Sequence, residues 1–194
     1  IDFWTGAFLI VILTGVYTVL GGLKAVVITE TIQAIILLIG ASATLIYGLN
    51  AVGGWNQMVA TASPGFMNIW KPSDHPDFPW TGVIFGAPIL GIWYWCTDQN
   101  IVQRVLSAKN VSEARKGTIF AGFLKLTPLF LFVIPGVIAF CLTQPGVPEN
   151  VRLDLTSKDS ALPELVKTLL PSGLKGMVGA ALLAALMSSL ASVF

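Results

Sequence analysis

Charge is scarce in this chain. Asp, Glu, Lys and Arg make up 11% of its 194 residues, where a soluble globular domain carries about 25%. Histidine is nearly absent: His75 stands alone, which excludes a histidine cage for a metal ion. The two cysteines, Cys96 and Cys141, both lie in apolar runs and make no disulfide framework. A net charge of +1 offers no basic surface for nucleic acid. There is no His-Glu-x-x-His, no Gly-x-Ser-x-Gly and no Walker-type loop, so neither an enzyme nor a cofactor is expected. What the chain has instead is apolar residues, 55% of the total, with a mean hydropathy of +0.79. That composition predicts an all-α, multi-pass membrane protein, because a helix satisfies its own backbone inside lipid. The chain opens at Ile1 and closes at Phe194 inside an apolar run, and is expected to be part of a longer protein.

A helix needs about 20 mostly apolar residues to cross the hydrocarbon core. On that measure the sequence predicts five spans, near 3–20, 25–49, 81–106, 118–142 and 173–194. Gly21-Gly22 separates the first two as a tight turn. Segments 50–80 and 143–172 read as loops with short helical pieces, and 107–117 as a short basic loop. Arg104, Lys109, Arg115 and Lys116, with Lys24, gather on one side, which the positive-inside rule makes cytoplasmic. Trp4, Trp55, Trp70 and Trp80 then fall on the external side, as interfacial anchors do. No internal repeat is visible.

Polar groups inside apolar runs are expensive, so each is a functional candidate. Three charges qualify: Glu30, Asp98 and Lys125. Each also has a plainer reading. Glu30 can reach headgroups, Asp98 can pair with a neighbouring helix, and Lys125 can snorkel to the cytoplasmic face. The third span stands out. Pro88 and Gly91 precede Trp93-Tyr94-Trp95, and Thr97, Asp98, Gln99, Asn100, Gln103 and Arg104 follow. The Pro88–Gly91 stretch is the expected break in this helix, since transporters bind substrates at Gly- or Pro-interrupted helices. Aromatic faces beside hydroxyl-binding groups suit a sugar ring, which has apolar C–H faces and a polar rim; the aromatics can equally be core.

In the fifth span Ala181, Ala185, Ser188, Ser189 and Ser192 recur three or four residues apart, so they share one side of the helix. Close packing through small residues is one reading. A site for a small monovalent cation is the other, since hydroxyls and a carbonyl are neutral oxygen ligands. Gly82-x-x-x-Gly86 is a possible packing notch.

Three stretches resemble the sodium/solute symporter family, in its sodium/glucose cotransporter branch. They are Gly21-Gly22-Leu23-Lys24-Ala25-Val26-Val27-Ile28-Thr29-Glu30-Thr31-Ile32-Gln33, then Trp93-Tyr94-Trp95-Cys96-Thr97-Asp98-Gln99 with Ile101-Val102-Gln103-Arg104, and Ala185-Leu186-Met187-Ser188-Ser189-Leu190. Phe123-Leu124-Lys125 extends the second match. The resemblance implies a LeuT-type fold of two inverted five-helix repeats, of which this chain supplies the fourth to eighth helices, the sixth being discontinuous. It implies sodium-coupled symport of a glucose- or galactose-like sugar across a plasma or inner membrane by alternating access. An inositol or other polyol symporter, and a non-transporting membrane sugar sensor, are the alternatives. By the same resemblance Tyr94 is an inner gate that stacks on the sugar, Trp95 lies beside it, and Lys125 hydrogen-bonds sugar hydroxyls. Gly91 stands where some relatives carry Asn or Thr touching the sugar. Ala185 through its carbonyl, and Ser188 and Ser189 through their hydroxyls, are half of a sodium site. Glu30 takes the place of an Asp on the sodium exit path.

Overall fold

The computed structural model describes residues 2–63, 65–155 and 157–192, and among these every regular element is helical. The last two positions of the expected fifth span, Val193 and Phe194, lie outside the described residues. Three helical stretches are long and apolar enough to cross a membrane: Trp4–Val52, Val111–Leu142 and Ser172–Ala191. Trp80–Cys96 is also apolar but shorter. The chain divides into two compact units, one of Ile1–Thr61 with Thr127–Phe194 and one of Ala62–Leu126.

The first unit is built on α1 (Phe3–Val52), which starts where the Asp2 carboxylate accepts a hydrogen bond from the Trp4 amide at 3.2 Å. Fifty helical residues in a straight rod would measure about 75 Å, more than twice the roughly 30 Å hydrocarbon core. The rod is interrupted at Gly22, whose φ of 60° and ψ of −171° are non-helical. Glycine alone adopts that conformation readily. At Gly21 the bend brings Ala25 so near that an added Cβ would lie 2.5 Å from the alanine Cβ. The Gly21-Gly22 pair is therefore required on two separate grounds.

Beyond the bend α1 packs against α8 (Ser172–Ala191), and further along against α6 (Ile134–Leu142). Small residues set the distance. A Cβ at Gly40 would meet Val178 Cγ2 at 3.2 Å, and one at Gly48 would meet Ile138 Cγ2 at 3.1 Å. The core here holds Met58 of α2 (Trp55–Thr61), Ile138 and Leu142 of α6, and Leu165 of α7 (Ala161–Leu169), all nearly inaccessible. Cys141 is buried with its Sγ 3.5 Å from the Met58 carbonyl. A wider π turn over Leu129–Val133 leads into α6.

The second unit holds α3 (Trp80–Cys96), α4 (Gln99–Leu106) and α5 (Val111–Leu124). Trp70, in the irregular approach to α3, stacks on Trp80 with centroids 6.3 Å apart. Three features differ from the sequence reading. The expected break at Pro88–Gly91 is unbroken helix, and the interruption comes at Thr97–Asp98 instead. The expected basic loop 107–117 is helical from Val111 onward. The expected fourth span is interrupted at Lys125, the C-terminal residue closing α5. Proline inside a helix removes one hydrogen bond but does not have to end it, and a capping residue ends it more effectively.

Candidate functional site

The break in the third apolar stretch has a definite chemistry. Three groups converge on the Trp93 carbonyl: the Thr97 amide at 2.9 Å, the Asp98 amide at 3.0 Å and the Thr97 hydroxyl at 2.8 Å. This crowding closes α3. One residue later the Asp98 carboxylate accepts from the Ile101 amide at 3.2 Å and starts α4. Asp98 is thus an N-cap, which accounts for a carboxylate in this stretch: it satisfies an amide that the new helix would leave bare.

Just before the break, Tyr94 and Trp95 meet edge-on with centroids 5.4 Å apart and planes at 81°. The Lys125 ammonium sits 3.2 Å from the Tyr94 centroid and 5.5 Å from that of Trp95. Both fall within the roughly 6 Å range of a cation–π contact. The two rings are half-buried and Lys125 is exposed. Lys125 reaches them because α5 ends under it, its backbone amide donating to the Ala121 carbonyl at 3.0 Å. A cation at a helix C-terminus is also favoured by the helix dipole. The structure therefore gathers Tyr94, Trp95 and Lys125 into one corner within the second unit. Gly91 lies one turn before Tyr94, and nothing stands within 4 Å of where its Cβ would be.

The other predicted residues lie in the first unit. The Ser188 hydroxyl donates to Glu30 Oε1 at 2.9 Å, joining α8 to α1 across 158 positions of sequence. Glu30 is half-buried, so the headgroup reading gives way to an interhelical contact. Ser189 turns away from that contact and donates to the Ala185 carbonyl at 3.1 Å. Ser192 donates to the Ser188 carbonyl at 2.9 Å. Ala185 and Ser189 are thus brought together by one helix, and Ser188 and Glu30 by two. Hydroxyl, carbonyl and carboxylate oxygens of this kind are the ligand types a hard cation takes. Gln33, one turn from Glu30, was not among the predicted site residues; its side-chain oxygen is buried with no hydrogen-bond partner.

Comparison with known proteins gives this geometry its context. The whole chain, residues 1–194, matches the family described as the Sodium:solute symporter family. Sodium/myo-inositol cotransporter 2 of Homo sapiens is 41% identical over 207 aligned residues, covering 94% of this chain and 31% of that protein. Sodium/glucose cotransporter 1 of Sus scrofa is 37% identical over 224 aligned residues, covering 100% of this chain and 34% of that protein. The chain spans about a third of the length of the curated relatives it matches. With its apolar helices, its aromatic–lysine corner and this match along its entire length, the chain belongs to the sodium:solute symporter family.

Proposed function

We propose that the chain is part of a sodium-coupled symporter that carries a glucose- or galactose-like sugar across a cell membrane by alternating access. The observation that carries this reading is the Lys125 ammonium over the Tyr94 ring beside Trp95. In this arrangement the ammonium covers one face of Tyr94. A sugar's C–H face takes that place, and Lys125 turns to donate to the hydroxyl rim. The exchange keeps both groups satisfied: the ring trades a cation for C–H contacts, and the ammonium trades a π face for oxygen acceptors. Substrate and lysine are then alternatives on one platform.

On this reading Ser188 and Glu30 stand on the sodium route, with the Ala185 carbonyl and the Ser189 hydroxyl as ligands. The fold is the LeuT-type arrangement of inverted repeats, and the remaining ligands come from helices elsewhere in that fold. The 104–116 end faces the cytoplasm. Each sodium moved inward adds about 2.3 kcal/mol per 100 mV of membrane potential, besides its own gradient, to drive sugar uphill.

A second reading is supported by the 41% identity to a sodium/myo-inositol cotransporter. A cyclic polyol has the same hydroxyl rim, and Gly91 adds no side chain that would discriminate against it. The test is uptake and counterflow by the full-length protein in vesicles, with labelled glucose, galactose and myo-inositol. Sodium-dependent accumulation of one of these is the expected result, and its identity chooses between sugar and polyol. Accumulation unchanged by removing sodium would end the symport reading. Binding without accumulation would make the protein a sensor.

A further inference from the structure

Val26, Glu30, Gln33, Gly40 and Thr44 are spaced to share one side of α1, and two of them, Glu30 and Gly40, meet α8. Val26 is 3% exposed and Thr44 1%. Two contacts set the register. Glu30 meets Ser188, and Gly40 meets Val178, so ten residues forward on α1 correspond to ten residues back on α8. The helices run antiparallel, and Gln33 stands level with Ala185.

At that level Gln33 Oε1 is buried without a hydrogen-bond partner. A buried amide oxygen needs either a donor or a cation. The facing side of α8 has no hydrogen to spare. Ala181 and Ala185 have no polar side chain. The Ser188 hydroxyl gives its hydrogen to Glu30, and the Ser192 hydroxyl gives its hydrogen to the Ser188 carbonyl. The Ser189 hydroxyl is committed to the Ala185 carbonyl. The groups at and next to that level are oxygens: the Ser189 hydroxyl, the Ala185 carbonyl and, about 4.5 Å back along the α1 axis, the Glu30 carboxylate. An all-oxygen setting of that kind suits a hard monovalent cation.

We propose that Gln33 handles the coupling ion: its amide oxygen takes a monovalent cation level with Ala185 and passes it to the Glu30 carboxylate, one turn nearer Lys24. The proposal rests on the reading of Glu30 and Ser188 as the ion route and adds a residue to it. A neutral amide oxygen suits such a step, because it binds too weakly to trap the ion. Two acidic side chains one turn apart would instead build a tighter site that also takes a divalent ion.

The test is sodium-driven uptake by the full-length protein in proteoliposomes, with Gln33→Leu, Gln33→Glu and Gln33→Asn beside Glu30→Gln and Ser188→Ala. Gln33→Leu is expected to raise the half-saturating sodium concentration by about five- to tenfold, as losing one ligand contact would. Its half-saturating sugar concentration at saturating sodium stays at the parent value. Gln33→Glu is expected to lower the half-saturating sodium concentration, slow turnover and make uptake sensitive to calcium, which a packing role would not do. Where Gln33→Leu fails to reach the membrane, the glutamate variant and the shorter amide of Gln33→Asn carry the same comparison. The proposal is overturned if every Gln33 variant keeps the parent sodium response while Glu30→Gln changes it. It is equally overturned if sodium and sugar constants move together in the Gln33 variants. If Glu30→Gln and Ser188→Ala also leave the sodium response unchanged, the ion-route reading itself falls.

Discussion

The Lys125 ammonium rests 3.2 Å from the centroid of the Tyr94 ring, although the two residues belong to different helical segments. A lysine at the end of α5 could have extended into water. It folds instead onto an aromatic face, a contact worth about 0.5–1 kcal/mol at an exposed site. The contact is weak enough for a hydroxylated ligand to displace.

Substitutions at this pair separate ring from hydroxyl and cation from stem. Lys125→Ala is expected to weaken substrate binding by roughly tenfold or more, since a hydrogen bond from a charged donor contributes about 1.5–3 kcal/mol. Tyr94→Phe keeps the face and is expected to change affinity little, whereas Tyr94→Ala loses the platform. Half-saturating substrate concentrations at saturating sodium check this. Lys125→Ala with parent affinity would reduce Lys125 to a snorkelling residue.

Gly91 faces open space one turn before Tyr94. Gly91→Asn is therefore expected to fold normally and to alter the ranking of glucose, galactose and myo-inositol in competition assays. An unchanged ranking would remove Gly91 from the substrate's surroundings.

Asp98 begins α4 by accepting from the Ile101 amide. Asp98→Ala is expected to cost about 1 kcal/mol, seen as a lower thermal midpoint in detergent. Asp98→Asn and Asp98→Ser should retain most of the stability, because each can still cap. Loss of sodium response with stability intact would point to a role beyond capping.

Gly40 touches Val178 where α1 meets α8. Gly40→Leu is expected to destabilise by about 1–3 kcal/mol through overpacking, and to lose part of that penalty when combined with Val178→Ala. A thermal-shift double-mutant cycle measures the coupling. Additive effects would mean that the helices separate more easily than their contacts indicate.

Much of this was readable from residue order. Apolar runs with few charges predicted helices, and the Gly21-Gly22 pair predicted the interruption of α1, because no other residue tolerates a φ of 60° there so easily. Glu30, Asp98 and Lys125 drew notice because charge in an apolar run is costly wherever it ends up. The helix break was less legible. Pro88 and Gly91 are helix-weakening residues, yet α3 passes through both and stops where Thr97 and Asp98 compete for the Trp93 carbonyl.

The sequence by itself determined that the protein is helical and apolar and which few polar side chains it had to accommodate, since composition and spacing set the cost of each residue locally. Only the tertiary structure decided their partners. Glu30 found Ser188, and Gln33 came level with Ala185, because α1 and α8 pack antiparallel at a register set by Gly40 against Val178. Lys125 found Tyr94 because α5 ends beneath the ring. Such pairings depend on the rotation and register of whole helices. Those are settled by packing summed over many contacts, and no single stretch of residues records them.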